Sequence, residues 1–75
     1  MKVRVTFRMR RLRHPGEETS VCVFDLEESD ARALLRLSGV KPELRHRVAS
    51  RLDAEARARG YDWAEIIKTE EAKQK

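Results

Sequence analysis

The sequence predicts an α+β fold: an N-terminal antiparallel β-hairpin packed against two or three helices, in the order ββαα(α). Three patterns carry this. Residues 1–10 alternate without a break, with Met1, Val3, Val5, Phe7 and Met9 apolar, Lys2, Arg4, Arg8 and Arg10 cationic, and Thr6 between them. A period of two gives a strand with one face in a core and the other in solvent. Residues 19–26 are rich in β-branched and aromatic side chains, as a second strand requires. From residue 42 to 59 the apolar positions Leu44, Val48, Leu52 and Ala56 recur every four residues, which marks one buried stripe of a helix.

The first strand ends near His14-Pro15-Gly16, where a fixed φ is followed by a residue free to take positive φ. A proline turn does not match the twist of a two-residue hairpin, so a longer loop is expected. Setting His14 opposite Glu17 puts Met9 across from Cys22, Phe7 from Phe24 and Val5 from Leu26, all inward. On the outer face Arg4 then meets Glu27, Thr6 meets Asp25, and Arg8 and Arg10 meet Val23 and Val21. An even shift of register preserves this partition and an odd one destroys it.

A lone hairpin is unstable, so helices must cover its apolar side. Ser29 is a candidate cap for a first helix from Asp30 to about Ser38, with Gly39 as its stop. Pro42 suits the first turn of a second helix running to about Arg59, stopped by Gly60. Asp62 and Glu65 have the spacing of a capping box, and Tyr61 with Ile66 that of a hydrophobic staple. These predict a third helix from Trp63, buried through Trp63, Ile66 and Ile67. The expected domain spans residues 1–68, and residues 69–75 form a polar tail expected to fray.

Seventy-five residues make one domain with a thin core. The single cysteine, Cys22, excludes an internal disulfide, and His14 and His46 have no second cysteine to complete a zinc set. No metal or other cofactor is therefore expected. No run is long and apolar enough to span a bilayer, and residues 1–20 lack the apolar centre of a secretory signal. With the lone thiol, this predicts a cytoplasmic protein and no membrane partner. Cys22 lies on the inward face, where a small apolar role is expected. Neither histidine has a nucleophile placed by local spacing, so no catalytic residue is assigned and no enzyme is expected.

The net charge is +4, and its segregation is more informative than its size. Residues 1–16 hold six Lys or Arg and no acid, while residues 17–30 hold six Asp or Glu and no Lys or Arg. The expected function is a small basic binding module, associated with DNA or RNA through the arginine-rich hairpin face. Arg4, Arg8, Arg10, Arg11 and Arg13 are the candidate phosphate contacts, with Arg47 and Arg51 extending the footprint. The alternative is a protein-protein interaction module, or an inhibitor in the style of phages and mobile elements, that binds a host nucleic-acid-processing complex. Leu12, Val21 and Val23 would then be the apolar centre of the contact, rimmed by arginines. A hairpin edge could also pair with its own copy to make a homodimer. Against both stands a plainer reading, in which acids across the strands pair with the arginines and the row is a solvated face.

Leu37-Ser38-Gly39-Val40-Lys41-Pro42-Glu43-Leu44 resembles the turn of bacterial repressor helix-turn-helix domains. The resemblance implies a second helix in a major groove, with Arg45, Arg47 and Arg51 as contacts. Leu35 stands where such motifs carry a small residue, and Arg45 where an apolar one is expected. A helical hairpin that covers the sheet fits these departures better.

Overall fold

A computed structural model describes residues 1–72. The elements follow in the order β1 (Lys2–Arg10), β2 (Glu17–Asp25), α1 (Glu28–Arg36), α2 (Pro42–Ala58) and β3 (Trp63–Glu71). The class is α+β with two helices. The three strands form one antiparallel sheet in the spatial order β2-β1-β3, so β1 is its central strand. Both helices lie on one face of the sheet and contact β1 and β3. The other face is uncovered.

The alternation in β1 is what places the core. Val3, Val5, Phe7 and Met9 are all fully buried, and Cys22, Phe24 and Leu26 join them from β2 and its exit. Helix α1 adds Ala31 and Leu34, and α2 adds Leu44, Val48, Leu52 and Ala56, the stripe that its sequence marks. Ile66 and Ala64 of β3 pack against this cluster.

The hairpin forms with the expected partition and a different register. Val5 faces Cys22, Val3 faces Phe24 and Arg10 faces Glu17, a shift of four residues from the sequence alignment. Arg4 therefore lies opposite Val23, Thr6 opposite Val21 and Arg8 opposite Thr19. The shift is even, so every side chain keeps its face. The six residues from Arg11 to Gly16 are left as the connecting loop.

The third helix is a strand. Trp63, Ile66 and Ile67 are spaced three and one apart, which imitates a helical stripe. The resemblance joins two faces of β3: Trp63 pairs with Arg10 on the outer face and Ile66 with Phe7 on the inner one, while Thr6 pairs with Lys68, so Ile67 has no partner on β1. This extra residue breaks the period of two, as a β-bulge does. The expected capping box does not form either. The Asp62 carboxylate accepts the Leu12 N–H at 2.6 Å, and Glu65 pairs with Arg8. Strand β3 also continues through Thr69, Glu70 and Glu71, where a frayed tail was expected, and the Ala72 N–H donates to the Lys2 carbonyl at 2.9 Å. Residues 73–75 of that expected tail lie outside the described residues.

Helix α1 is also displaced from its sequence reading. It runs from Glu28, is preceded by Glu27 without a side-chain cap, and ends before Leu37, so Ser29 is not its cap. Both helices end in the same way. At the end of α2, the Tyr61 N–H donates to Ala56 O and the Gly60 N–H to Arg57 O, with Gly60 at φ +83°. This is a Schellman closure with glycine in the left-handed position. After α1, Ser38 N–H donates to Ala33 O and Leu37 N–H to Leu34 O. Here the left-handed residue is Leu37 at φ +52°, two residues before the glycine expected to stop the helix.

Two outcomes follow. A leucine in the left-handed region costs roughly 1 kcal/mol, and Leu37 is exposed. Leu37→Gly therefore raises stability by up to about 1 kcal/mol in urea unfolding. The Thr69 hydroxyl lies 3.1 Å from Leu34 O and 3.2 Å from Leu35 O, and donates to these carbonyls at the end of α1. Thr69→Val removes that donor in a half-buried setting and lowers stability by about 1 kcal/mol.

Candidate functional site

Arg4, Arg8 and Arg10 stand in a row on the uncovered face, as the alternation of β1 requires. The structure adds what flanks them. Because β1 is central, the row lies between two strands that both carry acids. Arg8 Nη2 donates to Glu65 Oε1 at 2.8 Å, and Arg8 Nη1 lies 3.5 Å from Glu17 Oε2. Arg10 Nε is 3.8 Å from the same Glu17 oxygen, and Arg4 Nη1 is 3.5 Å from Glu70 Oε1. The hydrogen bond that Arg8 donates to Glu65, together with the charges of Glu65 and Glu17, raises the Arg8 pKa further above its usual value. Over the whole face Lys2, Arg4, Arg8, Arg10 and Lys68 oppose Glu17, Asp25, Glu65 and Glu70. The face is close to neutral, and of its guanidinium groups that of Arg8 is held by a hydrogen bond.

Arg11, Arg13 and Leu12 sit in the loop beyond the strand ends. Arg11 turns toward the end of α2, where its Nε donates to Gly60 O at 3.0 Å and its guanidinium lies 4.8 Å from the Tyr61 ring centroid. Arg13 is exposed and has no carboxylate within 4 Å among the described residues. Leu12 is 74% exposed. It lies at least four residues, roughly 13 Å, along the ribbon from Val21. Leu12 therefore does not join Val21 and Val23 in one apolar centre. Val21 and Val23 themselves are 48% and 53% exposed, side by side on the outer face of β2.

Arg47 and Arg51 belong to α2, in the layer beneath the sheet, so they do not extend the arginine row of the opposite face. Arg51 pairs with Glu55 at 3.5 Å, whereas Arg47 and Arg45 have no carboxylate within 4 Å among the described residues. The helices rest on the sheet more than on each other. An apolar groove of about 360 Å³ runs between α1, α2 and β3, floored by Leu34, Val48, Leu52 and Ile66, with Arg45 and Asp53 among its lining residues.

The residues that sequence reasoning misses are Glu65, Glu70, Trp63 and Ile67 of β3. Their signal was present in part: Trp63, Ile66, Ile67 and Thr69 are strand-forming types. No group of three metal-ligating side chains occurs among the described residues, and no helix there is long and apolar enough to cross a membrane. Comparison with protein families, curated proteins and solved structures finds no match, so the functional argument rests on this geometry alone.

Cys22 is buried, and that burial pushes its thiol pKa up, with Glu55 adding to the effect. A native thiol with a raised pKa carries less thiolate at a given pH than the unfolded chain does. Labelling by a disulfide reagent should thus titrate at higher pH in the folded protein than in urea. The sign also sets stability: the contribution is complete below the ordinary thiol range near pH 8.5 and is lost as pH rises through the folded pKa. A native labelling curve that coincides with the curve in urea would contradict the burial.

Proposed function

We propose that the protein is a small non-enzymatic binding module that engages a protein partner through the uncovered face of its sheet. One observation supports this above the others: the arginine row is enclosed by carboxylates on both neighbouring strands. A phosphate approaching Arg8, Arg10 or Arg4 would also meet the charges of Glu17, Glu65 and Glu70, which weaken its attraction. A protein partner gains instead from an Arg8 guanidinium already held by Glu65, set among exposed Val21, Val23 and Ile67 and half-buried Trp63. Arginine and aromatic side chains with a local apolar centre are what protein interfaces favour. A host nucleic-acid-processing complex is one partner of this kind.

The nucleic-acid reading draws support from other residues. Arg13 in the loop and Arg45 and Arg47 on α2 are free of carboxylate partners among the described residues. They lie on separate elements, which gives phosphate contacts without a continuous groove.

The two readings separate in one pair of measurements. A bait purified after nuclease treatment should retain a stoichiometric protein partner, and Ile67→Glu, which changes an exposed side chain, should release it while the thermal melt stays in place. Anisotropy titrations against mixed DNA and RNA should show only weak binding. Binding tighter than about 1 µM that collapses between roughly 50 and 200 mM salt, and that is abolished by joint replacement of Arg13, Arg45 and Arg47 with Glu, would assign the protein to nucleic acid instead.

A further inference from the structure

The two edges of the sheet are not alike. Strand β3 is interrupted at Ile67 and carries Lys68, both common guards of an exposed edge. Strand β2 runs for nine residues with no bulge against β1, no proline and no lysine. Its unpaired backbone groups can be assigned. The Leu26 N–H donates to Met1 O at 2.8 Å and the Met1 ammonium to Leu26 O at 2.9 Å, so residues 1 and 26 form a hydrogen-bonded pair. Alternation along an antiparallel ladder then commits the backbone groups of Phe24, Cys22, Ser20 and Glu18 to β1. Those of Glu17, Thr19, Val21, Val23 and Asp25 point away from the sheet. The main helix contacts are with β1 and β3, and α2 reaches β2 through side chains, with Arg59 4.0 Å from Glu18 and Arg51 and Glu55 near Cys22.

We infer that β2 pairs antiparallel with β2 of a second copy, in the register that sets Val21 opposite Val23 of the partner. This reading concerns the edge, and it stands or falls separately from the use of the sheet face. A second copy is favoured by the two exposed valines at the middle of the strand. The register places two Val21–Val23 pairs on the outer face, covering both exposed valines, and sets Thr19 opposite Asp25. Centring the pairing on Val21 instead would put Glu17 against Asp25 twice, and like charges directly opposite are destabilising. A head-to-tail sheet in which β2 meets β3 of the next copy would bring Glu17, Glu18 and Asp25 toward Glu65, Glu70 and Glu71. Within the strands the two-fold arrangement sets no acid directly opposite another, since Glu17 meets Glu27 of the partner only beyond the end of β2, and it closes, as an isologous contact must.

The chosen register also places the two Cys22 residues opposite each other on the two-fold axis, as a non-hydrogen-bonded pair. Such pairs have Cα atoms about 4.5 Å apart, within the reach of a disulfide. Cys22 is the only cysteine, so it reports on this register without engineering.

Mass in solution should be measured by light scattering across a dilution series from about 1 mM to 10 µM, since a contact of this size is weak. A dimer is expected at the upper end. Mild oxidation at alkaline pH, with diamide as the two-electron oxidant, should join the two Cys22 thiols, the diazene N=N taking up their two electrons and two protons to become a hydrazine, and yield a reducible dimer. Val21→Pro removes an N–H that points to the open edge and leaves the β1 ladder intact, and it should abolish both signals. Val23→Lys, a milder change, should weaken them at least tenfold. A monomer throughout the series overturns the proposal. So does a dimer that survives Val21→Pro, or one in which Cys22 fails to cross-link.

Discussion

The central position of β1 is the constraint on which the rest depends. A strand paired on both sides has its backbone satisfied from two directions, and here the odd residues bond toward β2 while even residues such as Lys2 bond toward β3. That arrangement lets Val3, Val5, Phe7 and Met9 be fully dry in a chain of only 75 residues. Small domains bury a modest fraction of their surface. Four dry side chains on one strand concentrate most of what this domain has, and α1 and α2 need only narrow stripes to cover them.

The same position changes the meaning of the arginine row. Alone in a hairpin, Arg4, Arg8 and Arg10 would face acids from one side and water from the other. In the middle of the sheet they are flanked by Glu17 on β2 and by Glu65 and Glu70 on β3. Exposed pairs of this kind contribute little to stability. Their larger effect is on the field outside the protein, because alternating charges a few ångströms apart cancel beyond the Debye length. Among the described residues much of the remaining positive charge lies elsewhere, on α2 and on the loop after β1.

What was legible in the sequence was everything governed by strict period. The two faces of β1, the stripe of α2 and the stop at Gly60 all read correctly, because one repeated spacing or one special residue decides each. The register of the hairpin was not legible, since an even shift leaves every side chain on the same face and the apolar pattern cannot choose between 27 and 31 as the sum of paired positions. Strand β3 was hidden for a different reason. Trp63 and Ile66 sit on opposite faces of β3, the unpaired Ile67 stretches the inward spacing from Ile66 to Thr69 to three, and Asp62 with Glu65 imitates a helix start whose groups are in fact engaged with Leu12 and Arg8. With β3 read as a helix, the candidate site lost the acids that neutralise its arginines. The arginine row is therefore more nearly neutral than the hairpin alone implied, while the outward direction of Arg4, Arg8 and Arg10 follows the alternation of β1.

The uncovered face and the open edge meet at Val21 and Val23. Their side chains belong to the face, while their backbone groups belong to the edge, so whatever adds a strand to β2 also extends the platform beside the arginine row. A two-fold pairing would double that platform into a six-stranded sheet with both sets of helices on one side and both arginine rows on the other. A partner that binds the face would then meet two copies of the same pattern related by symmetry. The affinity of such an arrangement comes from effective concentration more than from any single contact. This gives a physical reason for a face with weak individual ion pairs to coexist with an edge left without the usual guards.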